Sequence, residues 1–278
     1  MANVIKSSGT AIIGWGGVHS VPSYFGIFFP SQGIINFLSL NLVRNTGIFA
    51  EAPMYAYILS MALLIDVLIL KKIDFKSVVI GITIFTTTST TGVIMAALVF
   101  GFFITKFLCN SKYRILLAPI GLMITVVVFY LVTVILNSKN NLGASSVSIR
   151  MDDIKAGYLT WRQHPFIGSG YSNNYAIIQN MLAFRQTITE YDAVGFSSGM
   201  MKLLAGTGTI FTVLYYILPL ALYIIINLKK DFSKTILSIF ILALLFFSIV
   251  QESYVLIFII ALMWVEILQF GHRRRKGL

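Results

Sequence analysis

Arg150, Asp152, Asp153, Arg162, His164, Gly168, Gly170, Asn173 and Asn174 fall within one polar stretch, Ser138 to about Ser198, set between uncharged apolar runs. These residue types hold anions and move protons. An imidazole titrates near neutrality and can act as a base, so His164 is a candidate catalyst, although a histidine before a proline also marks a helix end. Gly168 and Gly170 permit a tight turn or a close approach of backbone to an anionic ligand. Upstream, Arg44 and Glu51 flank a second polar segment whose Pro53 is well placed to begin a helix. No metal site or cofactor is expected, because His19, His164 and His272 are scattered and Asp152 and Asp153 are adjacent.

The elements that must position these residues belong in a membrane. Hydrophobic residues make up 57% of the 278, charged residues only 11%, and the mean hydropathy is +0.86. Uncharged runs such as Ile115 to Leu136 and Leu203 to Leu228 reach the ~18–20 residues a spanning helix requires. They do not alternate as the strands of a membrane barrel would. The fold class is therefore all-α, a polytopic integral membrane protein, since a segment in lipid must satisfy its own backbone hydrogen bonds.

The net charge of +11 could suggest nucleic acid, but the basic residues flank apolar runs, which is a topology signal. Lys71, Lys72 and Lys76; Lys106, Lys112 and Arg114; Lys229, Lys230 and Lys234; and Arg273 to Lys276 should all face the cytoplasm. Cys109, within the second cluster, offers no disulfide framework. Counting back from a cytoplasmic carboxyl terminus through Tyr254 to Gln269, Lys234 to Val250 and Leu203 to Leu228 places the 138–198 loop outside. The uncharged stretch between Lys76 and Lys106 would span ~44 Å as one helix, against a hydrocarbon core of ~30 Å. One helix would leave one lysine cluster outside, so two short helices of about 14 residues each are expected, turning near Thr86–Gly92 in a protected cavity. Pro53 to Leu70 is read as a helix in which Asp66 lies near enough to Lys71 and Lys72 to pair. The first ~50 residues, broken by Pro22, Pro30 and several glycines, read as an external or re-entrant segment. About seven spanning helices result. The expected organisation is 1–52 external or re-entrant, 53–136 helices 1–4, 137–198 the long external loop, and 199–278 helices 5–7 with a basic tail. Arg150 begins an amphipathic helix whose apolar face is Ile149, Ile154, Tyr158, Leu159 and Trp161, with Asp152, Asp153 and Lys155 elsewhere.

Four segments occur in an order that resembles the O-antigen ligase and polymerase superfamily. They are Arg44 to Pro53, Thr87 to Gly92, Arg150 to Gly170 with its Trp161-Arg162-Gln163-His164-Pro165-Phe166-Ile167-Gly168-Ser169-Gly170 ending, and Ser198 to Gly208. The chain is most similar to the polysaccharide repeat-unit polymerases of bacterial capsule and O-antigen clusters. Members of that group usually carry more helices, so the resemblance implies further helices before Met1.

The resemblance implies glycosyl transfer at the outer face of the bacterial cytoplasmic membrane from an undecaprenyl-pyrophosphate donor onto a lipid-linked repeat unit. Neutralising the pyrophosphate leaving group suits bidentate arginine. Arg44 and Arg150 would form that clamp, with Arg162, His164, Gly168, Gly170, Asn173 and Ser89 binding substrate. Ligases of the superfamily carry a histidine near the helix after the long loop. Here that region reads Phe196-Ser197-Ser198-Gly199, which favours polymerase over ligase and leaves Glu51 as the alternative base. Implied partners are the lipid-linked oligosaccharide, membrane lipid, a chain-length regulator and a flippase, with no nucleic acid. A transporter or flippase of the same glycan, or an inactive truncated remnant, are the alternatives, although no internal repeat of the transporter kind is found. The topology is checked by fusions. Alkaline phosphatase inserted after Asn140 is expected to be active and a carboxyl-terminal green fluorescent protein to fluoresce; the opposite pair of results would invert the assignment.

Overall fold

The structure, a computed structural model, describes residues 6–13, 19–27, 34–37, 40–49, 51–110, 130, 133, 146–186, 196–248 and 253–275. The expected helix Ile115 to Leu136 lies almost wholly outside these, as do Lys112, Arg114, Lys276 and the first part of the long loop. The fold is mostly helical, and three helices are long and apolar enough to cross a membrane: Ala52–Ile69, Gly199–Asn227 and Tyr254–His272. Shorter apolar helices are Phe75–Thr86, Thr90–Thr105 and Phe232–Phe247. This is a membrane protein. Its described residues fall into two compact units, 6–146 and 147–275.

The first unit departs from an all-α fold at its start. Instead of irregular segments there are two antiparallel hairpins, β1 (Gly9–Ile13) with β2 (His19–Ser23) and β3 (Ile34–Phe37) with β4 (Leu40–Val43). Pro22, which argued against regular structure, is tolerated because every strand of a two-stranded ribbon is an edge. Helix α1 begins at Ala52 with Pro53 in its first turn and passes from Leu64 into a π-helical turn, Ile65–Ile69. Within that turn the Asp66 carboxylate accepts from the Ser77 hydroxyl. Ser77 also closes the capping box of α2 (Phe75–Thr86), whose N-cap is Asp74.

The expected helical hairpin is present, with Thr87, Thr88 and Ser89 separating α2 from α3 (Thr90–Asn110). Its arms are unequal, 12 and 21 residues, not matched short helices. Thr88 takes a positive φ of 50° at the turn. A Cβ on Gly92 would lie 2.8 Å from that of Ala56; small residues on both helices thus let α1 and α3 approach closely, the usual basis of packing in lipid.

In the second unit α4 (Ser146–Gln163) leads through a strap, residues 164–170, to the short helices α5 (Asn174–Ile178) and α6 (Ala183–Gln186). Then come α7, α8 (Phe232–Phe247) and α9 (Tyr254–Arg275). Helix α7 covers Gly199–Asn227 but is not continuous. Gly208, at φ 71° and ψ −179°, breaks it, and a π-helical turn follows at Val213–Ile217. The strap fills the break. Ser169 N–H donates to Ala205 O (2.8 Å) and Gly170 N–H to Gly206 O (2.9 Å), while Thr209 N–H donates to Pro165 O (2.8 Å) and Ile210 N–H to Phe166 O (3.2 Å). Trp161 Nε1 pins the joint by donating to Thr209 Oγ1 (2.9 Å) and Pro165 O (3.1 Å). Beneath it lies a small core of Ala156, Ile177, Ile178, Met181, Phe196 and Ala205. Near the other end of α7, Glu266 of α9 accepts from Tyr223 (2.8 Å) and pairs with Lys234 of α8.

A Cβ on Gly208 would overlap the Phe166 carbonyl, and one on Gly168 the backbone of Gly206. Gly208→Ala therefore carries both the cost of a glycine-only conformation and that of overpacking, together at least about 2 kcal/mol. Gly101→Ala, where a Cβ meets nothing within 4 Å, should stabilise α3 by up to about 1 kcal/mol. Thermal unfolding in detergent is expected to separate the two, with Gly208→Ala well below the parent and Gly101→Ala at or above it.

Candidate functional site

In the first unit, Arg44 and Asn45 seat on the α2–α3 turn. Arg44 Nε donates to Thr88 Oγ1 (3.0 Å) and Thr87 O (3.3 Å). Beside it Asn45 donates through its backbone N–H to Thr86 O (3.1 Å) and through Nδ2 to Thr86 Oγ1 (2.9 Å). Thr87, Thr88 and Ser89 are all buried, and Ser89 Oγ caps the amide of Gly92 at 3.5 Å. Burial lowers the Arg44 pKa to about 10, partly offset by the Glu51 carboxylate, so the guanidinium is still charged at neutral pH. Its two described hydrogen bonds both run through Nε. The sequence pairs Arg44 with Glu51 at the mouth of the first helix and puts Ser89 in a separate turn; the fold brings Arg44 onto that Thr/Ser turn and sets Glu51 at the N-cap of α1.

The second unit overturns the expected faces of α4. Asp152 and Asp153 are buried, together with Ala156 and Thr160, whereas Tyr158 and Met151 are exposed. The reason is Arg185, itself buried, which the sequence reading did not single out. Arg185 Nη1 donates to Asp152 Oδ2 (2.8 Å) and Asp153 Oδ1 (2.7 Å). Leu182 N–H donates to Asp152 (3.1 Å), and the Ser197 amide to Asp153 Oδ2 (2.8 Å). A buried charge survives only when paired and hydrogen-bonded, and these two carboxylates are both. The acidic pair thus fastens α4 to the segments before and after the undescribed residues 187–195.

Arg150 sits on the same helix. Its Nη1 donates, at a long 3.4 Å, to Phe247 O at the end of α8, where a cation complements the helix dipole. Burial lowers its pKa and Asp153 opposes that shift. Arg162 and His164 are exposed at the entry to the strap. The close approach that Gly168 allows is to the backbone of Gly206 and Gly208, and Gly170 pairs with Gly206. Asn173 caps α5 through Oδ1 and donates from Nδ2 to Ser169 O (3.1 Å). Among the described residues no group of three or more His, Cys, Asp or Glu converges as a metal site would.

A family model described as O-antigen ligase matches residues 75–215, just over half of the chain. The chain belongs to the O-antigen ligase family. No curated protein and no solved structure matches it. The family region begins at the first residue of α2 and ends inside the π-helical turn of α7. It therefore takes in the Thr/Ser turn, the acidic pair, the strap and the break, and leaves Arg44 and Glu51 just upstream. Membership makes the protein a membrane enzyme of the glycosyl-transfer type, in O-antigen-like polysaccharide synthesis.

Desolvation raises the Asp153 pKa above its ordinary value, while Ser197 and Arg185 draw it back. A carboxyl raised on folding binds its proton more tightly folded than unfolded, so between its unfolded value and the raised one stability falls as pH rises. Arg185→Ala removes the cation that offsets this and is expected to cost about 3–5 kcal/mol near neutrality. The deficit should be smaller in acidic buffer than near neutrality, because the Asp153 carboxyl, its pKa already raised by burial, then takes up a proton. Thermal unfolding of the full chain in detergent at both pH values checks this; an unchanged Arg185→Ala midpoint near neutrality would show that the pairs add no stability.

Proposed function

We propose that the protein polymerises lipid-linked oligosaccharide repeat units into a surface polysaccharide of the O-antigen or capsule type. The donor is a glycan on undecaprenyl pyrophosphate and the acceptor a hydroxyl at the non-reducing end of a second lipid-linked unit. The bond from the anomeric carbon to the pyrophosphate oxygen breaks, the acceptor oxygen bonds to that carbon, its proton passes to a base, and undecaprenyl pyrophosphate leaves. In this reading the enzyme lies in the bacterial cytoplasmic membrane with about seven spans, the long loop outside and the carboxyl terminus inside. A flippase and a chain-length regulator act beside it.

The observation that carries the proposal is Arg44, a charged guanidinium half sunk against the Thr/Ser turn at the start of α3 and held there through Nε. A partly desolvated arginine beside a helix N-terminus suits the charge that develops on a pyrophosphate leaving group. Glu51, whose charge partly offsets the lowering of the Arg44 pKa by burial, is the proposed base. Arg150, Arg162 and His164 are assigned to glycan and phosphate contacts in the second unit. Gly168, Gly170 and Asn173 shape the backbone that presents them. The absence of a histidine in Phe196 to Gly199 supports polymerase over ligase.

The test is a gene deletion complemented with variants, read as the glycan ladder on a gel. Deletion is expected to leave single repeat units at the surface; export of none would indicate a flippase. Arg44→Ala should lower polymerisation by about 100-fold or more, and Arg44→Lys should recover part of it through charge without the fork. Normal chain length from Arg44→Ala, at normal membrane levels, would remove Arg44 from the mechanism.

A further inference from the structure

Residues 164–170 are irregular backbone, yet they are paired against a helix long and apolar enough to span a membrane. Gly208 lies nine residues from the Gly199 end of α7, roughly 13 Å at the rise of a regular helix. With the 29-residue span Gly199–Asn227 centred in the bilayer, the Gly208 break falls inside a hydrocarbon core of ~30 Å. The strap is registered to that depth by its bonds to residues 205, 206, 209 and 210.

Irregular backbone is tolerated at such a depth only when its polar groups are satisfied by protein. Here the groups of 165, 166, 169 and 170 are paired with α7, and others are closed within the segment itself. Beyond the pairs with α7, Gly168 N–H donates to His164 O (2.9 Å), Asn173 N–H to Gly170 O (3.0 Å) and Asn173 Nδ2 to Ser169 O (3.1 Å). The side chains at the tip are Phe166 and Ile167, 69% and 77% exposed. Ile210, whose amide bonds the Phe166 carbonyl, is exposed as well, as are Phe211 and Leu214 further along α7. Polar Arg162, Gln163 and His164 precede the tip, and Tyr171 and Tyr175, both half exposed, follow it. That is the order in which a segment dips from headgroups into hydrocarbon and returns, with tyrosines at the interface.

We infer that residues 164–170 form a re-entrant membrane segment whose Phe166–Ile167 tip packs against the acyl chains of the leaflet at the Gly199 end of α7. The long loop is then not wholly aqueous, and Arg162 and His164 are held at headgroup level. This placement does not depend on the glycan reaction, so its test needs no activity.

The full chain carrying Cys109→Ser receives a single nitroxide at Ile167→Cys, Lys155→Cys or Phe258→Cys and is reconstituted in phosphatidylethanolamine–phosphatidylglycerol vesicles. Collision rates with oxygen and with a water-soluble nickel chelate are measured for each. Lys155 is exposed on α4 and Phe258 is exposed on α9, so they give the aqueous and lipid references. The ratio of oxygen to chelate accessibility at position 167 is expected to match that at 258 and to exceed that at 155 several-fold. A ratio equal to that at 155 would overturn the inference. Because Ile167 points out of the fold, the labelled chain should keep the parent's unfolding temperature. A parent-like Phe166→Cys label provides a second reading at the same depth.

Discussion

A helix that crosses a membrane can be interrupted only where the carbonyls and amides freed at the break find partners, because hydrocarbon offers none. In α7 the freed groups at 205, 206, 209 and 210 are taken by the backbone of Pro165, Phe166, Ser169 and Gly170. Much of the second unit follows from that pairing. Gly168, Gly206 and Gly208 crowd against one another because two backbones cannot approach so closely with Cβ atoms between them. Trp161 closes the joint from α4, so the amphipathic helix, the strap and the span act as one assembly.

Two further constraints bring the polar chemistry to its place. Arg185 lets two adjacent carboxylates enter the interior of the second unit, and in doing so turns α4 so that its small and acidic residues face inward. Met151 and Tyr158 are left exposed, while Ile149, Ile154, Leu159 and Trp161 are half-buried. In the first unit the turn between α2 and α3 is covered by Arg44 and Asn45, which meet Thr86, Thr87 and Thr88. A polar turn between apolar helices needs such cover. The same cover sets a partly buried guanidinium beside the turn.

Charge clusters and apolar run lengths were enough to read a helical membrane protein, the α2–α3 hairpin and the helix end at His164–Pro165. The order of four short segments was enough to find the family, which the match over residues 75–215 bears out. The β-hairpins were hidden because Pro22 and the glycines read as interruptions. The faces of α4 were misread because periodicity weighs each residue by its own polarity, and Asp152 and Asp153 are buried only through a cation some thirty residues away.

The sequence by itself determined the solvent in which this protein folds, since the free energy of placing long uncharged runs in lipid is local and nearly additive. It also determined where the chain must turn, through proline, glycine and clustered lysine. Only the tertiary structure decided what those turns are for. That Gly168 makes room for the broken backbone of α7, that Arg185 neutralises Asp152 and Asp153, and that Arg44 rests on Thr87 and Thr88 are pairings between distant residues. Their worth depends on geometry and desolvation that no residue carries alone.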